Sequence, residues 1–182
     1  MHTTATRPRP SGVERTFGAD EIIVSKTDLQ GRLTYANHVF LRIAGYPEPD
    51  VLGQPHNLIR HPDMPGGVFK LLWETIQSGS EIFAYVNNMA ADGANYWVLA
   101  HVTASVNSAG KIIGYHSNRR LPARGAIQEI EPIYRTLLAE EKRFDKGPQA
   151  AQAGYDLLHQ VLAEQGVTYE NWVCDITNRY TS

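Results

Sequence analysis

Asn95-Tyr96-Trp97-Val98-Leu99-Ala100-His101-Val102-Thr103-Ala104-Ser105-Val106 sets Tyr96, Val98, Ala100, Val102, Ala104 and Val106 in strict alternation. A repeat of two is the period of a strand with two distinct faces, and no helix sustains it. Upstream, Glu81 to Ala90 reads as a second strand that closes on the turn Asp92-Gly93. Downstream, Asn107-Ser108-Ala109-Gly110 leads into a third, Lys111 to Asn118. Turns of this chemistry join antiparallel neighbours.

Working outward toward the N-terminus, Val68, Phe69, Leu71, Leu72, Trp73 and Ile76 form an apolar stripe at helical spacing. Pro65 suits the start of that helix and Gly79 its end. Between Tyr46 and Asp63 stand Pro47, Pro49, Pro55 and Pro62, a density that permits only short helical turns. Val39, Phe40, Ile43 and Ala44 mark a short helix that Asn37 can cap and Gly45 can end. Ile22-Ile23-Val24 and Arg32-Leu33-Thr34-Tyr35 flank the turn Thr27 to Gly31 and read as a hairpin. Two strands, several helices and three strands in that order predict an α+β domain with a five-stranded antiparallel sheet and short helices on one face.

This domain is expected over residues 20–122. Residues 1–19, rich in Thr, Pro, Arg and Gly, are expected as a flexible arm. Residues 123–182 read as a C-terminal helical extension: a helix from about Ile127 to Lys142, a second from about Gln149 to Gln165 and a last one capped by Thr168. The stripe Tyr155, Leu158, Val161, Leu162, Trp172 and Val173 is expected to pack on the domain's own core or on a second subunit.

Seventeen basic against 19 acidic residues leave a net charge of −2, which provides no broad positive field for nucleic acid. The single cysteine, Cys174, excludes an internal disulfide framework and Cys-based metal clusters. No apolar run approaches the roughly 18–20 residues of a membrane span, and the N-terminus lacks a signal-peptide core. The expectation is a cytoplasmic protein without membrane insertion. Neither G-x-S-x-G, a P-loop nor a kinase signature is present, and no His-x-x-x-His pair suggests zinc, so it is not expected to be an enzyme.

Four stretches carry a more specific resemblance: Thr27-Asp28-Leu29-Gln30, Gly53-Gln54-Pro55-His56-Asn57, Arg60-His61-Pro62-Asp63-Met64-Pro65, and Asp92-Gly93 with Tyr96-Trp97-Val98. Together with Gly110 to Tyr115 and Glu131-Pro132-Ile133-Tyr134, they resemble the PAS domain of bacterial aerotaxis receptors, over about residues 24–138. The resemblance implies the PAS fold and a redox or oxygen sensor that holds FAD non-covalently in its cavity. It points to Arg60, His61 and Asp63, to His56 and Asn57, to Asn37, and to Asn88 late in its strand. The family's Trp early in that strand is replaced, since Ile82 and Phe83 stand there. Similarity to flavin-binding PAS domains places Val98 toward the cavity and Trp97, Leu99 and His101 outward. A separate signalling protein, a chemoreceptor or kinase, is the expected partner, and a homodimer is expected.

Each residue also has a plainer reading. Asn88 shares a face with Ile82, Ala84 and Val86 and can serve a flavin's amide edge, or it simply ends the strand. Arg60 and Asp63 can bind phosphate, or form a salt-bridge knot in which Asp63 caps the helix after Pro65. Phe69 and Trp73 are stacking partners for a ring, or core. His56 or His61 could ligate haem b, which is the alternative cofactor. A third reading is a cofactor-free interaction adaptor. The lone Cys174, far from the core, argues against a flavin–thiol photoadduct.

Overall fold

The computed structural model describes residues 8–145 and 147–181. Its elements are β1 (Ile23–Thr27), β2 (Leu33–Ala36), α1 (His38–Ala44), α2 (Glu48–Val51), a 3₁₀ turn at His56–Ile59, α3 (Gly66–Gln77), β3 (Ile82–Met89), β4 (Asn95–Val106), β5 (Ile112–Arg120), α4 (Arg124–Glu141), α5 (Pro148–Glu164) and α6 (Tyr169–Tyr180). All strand pairs are antiparallel, and the sheet order is β2-β1-β5-β4-β3. The chain's first hairpin therefore joins the last strand, and β5 becomes the centre of the sheet.

Capping follows the sequence. Asn37 accepts from the Phe40 amide at 2.9 Å, Gly45 ends α1 in the left-handed region, and Thr168 caps α6. The pairing register puts Ile82, Ala84, Val86 and Asn88 of β3 opposite Val102, Ala100, Val98 and Tyr96 of β4 on one face. Tyr115, Ser117 and Arg119 of β5 and Ile23, Ser25 and Thr27 of β1 continue that face. Helices α1 and α3 cover it.

The opposite face of β3 and β4 is covered by the C-terminal helices. Trp97 stacks on Tyr134 of α4 with ring centroids 6.2 Å apart. The Tyr134 hydroxyl donates to the Tyr85 carbonyl at 2.7 Å, and the Tyr85 hydroxyl meets Thr177 Oγ1 of α6 at 2.8 Å. Helix α5 then turns back and packs on α3. The extension is thus wrapped around both layers rather than appended to one.

Two expectations are corrected. Residues 1–7 lie outside the described residues, but the rest of the supposed arm is docked. Ser11 donates to the Gly93 carbonyl, Val13 and Arg15 exchange backbone bonds with Asn95, and Phe17 is buried in the core. Arg15 donates to the Ile43 carbonyl at 2.6 Å and pairs with Asp92 at 2.5 Å. Backbone pairing needs no apolar period, which is why composition pointed elsewhere. The last strand also runs two residues beyond Asn118, through Arg120.

Candidate functional site

Between the inner sheet face and α3 lies a cavity of about 640 Å³, within the span of about 300–1,000 Å³ usual for small-molecule sites. Its walls are largely apolar: Val86, Ala100 and Val102 from the sheet, and Phe69, Leu72, Trp73 and Ile76 from α3. Trp73 meets Tyr115 edge-to-face, with centroids 5.4 Å apart and planes at 88°. The exposed lining residues Gln30, Pro55, Asn57, Pro148 and Gln152 mark where the cavity opens.

Gly31 sits at the edge of this space with φ +76°, and a Cβ there would come within 2.9 Å of the Trp73 ring. The β1–β2 turn thus needs glycine twice, for its left-handed backbone and for the indole beside it.

Three residues that line this space carry buried polar atoms without partners among the described residues. Thr27 Oγ1, Asn88 Nδ2 and Arg119 Nη1 are buried and have no hydrogen bond among the described residues, and all three residues line the cavity. A buried orphan donor costs on the order of 1–3 kcal/mol, so orphans gathered on one cavity mark a place where a polar ligand would stabilise the fold.

Arg119 is the dominant charge. It is 2% exposed, and no carboxylate pairs with it among the described residues. Burial pushes its pKa down to about 10, so it remains a cation at neutral pH. Nη2 donates to Ser25 Oγ and lies 2.7 Å from His56 Nε2, while the guanidinium carbon stands 5.5 Å from the Phe40 ring centroid. Desolvation, and secondarily the Arg119 charge, pushes the His56 pKa down to about 3. The imidazole is therefore neutral, and it adds no charge beside the Arg119 cation.

The expected site residues divide. His56, Asn57, Arg60, Phe69, Trp73 and Asn88 line the cavity. Arg60 pairs with Asn88 through an isolated β-bridge, donates from Nη2 to the Met64 carbonyl at 2.8 Å, and holds its guanidinium 4.4 Å from the Phe69 ring centroid. His61, Asp63, Asn37, Ile82 and Val98 are not in the lining. His61 is buried, with Nδ1 accepting from the Asp63 amide at 3.1 Å. Asp63 points to solvent, its side chain 75% exposed, and does not cap α3. Asn37 is held by three bonds, its Oδ1 accepting from the Val24 and Phe40 amides and its Nδ2 donating to the Ile22 carbonyl. Ile82 and Val98 are buried in the inner face, opposite Val102 and Val86.

Arg119, Ser25, Thr27 and the α5 residues were not anticipated from sequence. For Arg119 a signal existed. The alternation of Tyr115 and Ser117 continues to it, past the point where two arginines read as the end of the strand.

Residues 33–119 match the family described as the PAS fold. The chain is 40% identical over 130 residues to the aerotaxis receptor of Escherichia coli (strain K12), a region of 70% of this chain and 26% of the receptor. It is 28% identical over 99 residues to a nitrogen fixation regulatory protein of Klebsiella pneumoniae, 54% of this chain and 20% of that protein. The chain thus spans about a quarter or less of the length of these curated relatives. Among solved structures, the dark form of the blue-light photoreceptor Aureochrome1 LOV superposes with a TM-score of 0.51 at 24% identity, covering 66% of this chain and 84% of that one. An RNA-binding light-oxygen-voltage receptor superposes with a TM-score of 0.53 at 20% identity, covering 65% of this chain and 33% of that one. At these identities the structural likeness speaks to the fold.

Proposed function

We propose that this chain, which belongs to the PAS family through residues 33–119, is a sensor module that holds FAD in its cavity and passes the flavin's redox state to a partner protein. The observation that carries the reading is that Thr27, Asn88 and Arg119, three residues that line one apolar slot, each hold a buried polar atom with no partner among the described residues. A flat heteroaromatic ring with a polar edge matches that donor and acceptor set. When bound, the flavin supplies reversible electron acceptance.

The chain's own residues do the rest. Val86, Ala100, Val102 and Trp73 supply apolar walls that would exclude water from a bound ring. Asn88 offers an amide that can donate or accept, and its Nδ2 has no competing partner within the described residues. Arg119 would present a fixed, buried cation to a bound ligand, and in a desolvated wall it would stabilise negative charge gained there. Arg60 is tied to Asn88 through the backbone, so a shift of one is felt by the other.

The route outward runs along β3. Asn88 faces the cavity, whereas Tyr85 on the same strand faces outward and is bonded to both α4 and α6. A rearrangement at Asn88 worth on the order of 1–3 kcal/mol is enough to bias how those helices dock. The partner is a separate signalling protein that reads this helical surface, and the role is binding rather than catalysis.

An absorbance spectrum of the purified protein tests the reading. Flavin gives paired near-ultraviolet and blue bands that bleach on reduction. A Soret band would replace flavin with haem, and a colourless protein that also fails to take up added FAD would leave only the adaptor. His56 Nε2, already facing the Arg119 donor, is badly placed to bind iron.

A further inference from the structure

Helix α5 lies beyond residues 24–138, the stretch whose motifs resemble aerotaxis receptors, yet it reaches the cavity. Pro148, Ala151 and Gln152 line it, across from Gly66, Phe69 and Lys70 of α3. The two helices touch at unusually short range. A Cβ on Gly67 would fall 2.3 Å from the Tyr155 nitrogen, and one on Gly66 would fall 3.1 Å from the Ala151 Cβ.

A specific lock holds this crossing. Helix α3 starts at Pro65 with no side-chain cap of its own. Its first amides instead donate to a carboxylate from the far end of α4: Gly66 N to Glu141 Oε2 and Gly67 N to Glu141 Oε1, both at 2.8 Å. Gly154 of α5 lies under the same carboxylate, since a Cβ there would fall 2.0 Å from Glu141 Oε1. An anion on a helix N-terminus satisfies orphan amides and the helix dipole at once. Glu141 therefore ties α3, α4 and α5 at one point.

We propose that α5 completes the ligand site: Pro148, Ala151 and Gln152 form a further wall beside the sheet and α3, latched by Glu141, and hold the end of the ligand that projects past the ring slot. Occupancy and α5 docking are then coupled, because a ligand contacting both helices stabilises the latched state, and the latched state binds it more tightly by the same factor. The ligand's identity as FAD rests on the flavin reading; the wall does not.

The test has two arms. In the first, the exposed Cys174 is replaced by Ser, the lining residue Val86 is replaced by Cys, and labelling of the introduced thiol is timed in the ligand-free full chain. Glu141→Gln, added to that background, is expected to raise the labelling rate at least tenfold, while Glu140→Gln leaves it unchanged. An equal rate with and without the latch overturns the wall. In the second arm, FAD and riboflavin are titrated into the otherwise native chain, and amide exchange is followed. FAD is expected to slow exchange across residues 148–164 more than riboflavin does, and Glu141→Gln to weaken FAD about tenfold. Exchange in 148–164 that ignores bound FAD overturns the coupling. If neither flavin binds but the labelling responds to Glu141, the flavin reading fails and the wall stands. Should Glu141→Gln fold poorly, Gln152→Trp, which narrows the mouth without touching the latch, is expected to slow labelling of the same introduced thiol instead.

Discussion

Arg119 Nη2 stands 2.7 Å from His56 Nε2 in the wall of the cavity. A guanidinium can only donate, so the imidazole nitrogen accepts and the His56 proton resides on Nδ1. The pair fixes a tautomer and keeps the histidine uncharged beside a cation.

That relationship sets a pH dependence. The folded-state pKa of His56 is near 3, against about 6.5 in an unfolded chain. Below about pH 6.5 the unfolded chain takes up a proton that the folded one refuses, so stability is full above that pH and drains away as pH falls toward 3. Denaturant titrations from pH 7.5 to 4.5 should show a loss with a limiting slope of about 1.4 kcal/mol per pH unit from this group. The loss should be absent from the His56→Gln curve, so the difference between the two proteins isolates it.

Replacing Arg119 separates binding from folding. Arg119→Met removes a buried cation with no counter-ion, and it should weaken FAD by about ten- to a hundredfold, the equivalent of one charge-assisted hydrogen bond. It should also lower the flavin's midpoint potential, because added negative charge loses its compensation. Equal potentials in the two proteins would place the ligand elsewhere.

Asn88→Leu should move stability and affinity in opposite directions. Without ligand, it deletes an orphan Nδ2, a gain of up to about 1–3 kcal/mol. With ligand, the lost contacts should weaken binding by about tenfold or more. Thermal melts of the free protein alongside a flavin titration decide it.

Gly31→Ala should damage both. The left-handed φ costs about 1–2 kcal/mol for a residue with a Cβ, and that Cβ drives the Trp73 ring into the slot. A lower melting temperature and weaker flavin uptake are expected together.

Tyr134→Phe tests the route outward. Losing the 2.7 Å bond to the Tyr85 carbonyl should cost about 1 kcal/mol while leaving flavin affinity unchanged. The redox-dependent change in amide exchange across α4 should shrink.

Much of this molecule was legible in the chain. The alternation from Tyr96 to Val106 dictated a two-faced strand, and Asp92-Gly93 and Asn107 to Gly110 dictated its neighbours. Local chemistry also placed the caps at Asn37, Gly45 and Thr168. What stayed hidden was non-local. Glu141 looks like any acid at a helix end, and nothing near it in sequence says that its carboxylate meets Gly66 and Gly67. Asn37 shows the converse. Its capping role was plain from its neighbours, whereas the resemblance cast it as a cofactor residue, and three satisfied bonds hold it away from the cavity. Arg119 was lost because a charged pair reads as a strand's end unless burial is known.

The bridge between Arg60 and Asn88, with the His61 amide reaching the Asn87 carbonyl, has a consequence for how copies of this chain can meet. It seals the cavity-side end of the outermost strand, and on the opposite border β2 is only four residues long and is bonded to Gln54 and Gly53 through Leu33. Lateral zipping of sheet onto sheet therefore finds little backbone to grip. Contacts between copies can instead draw on exposed side chains such as Phe83, Val106 and Ile113, where single substitutions can tune them.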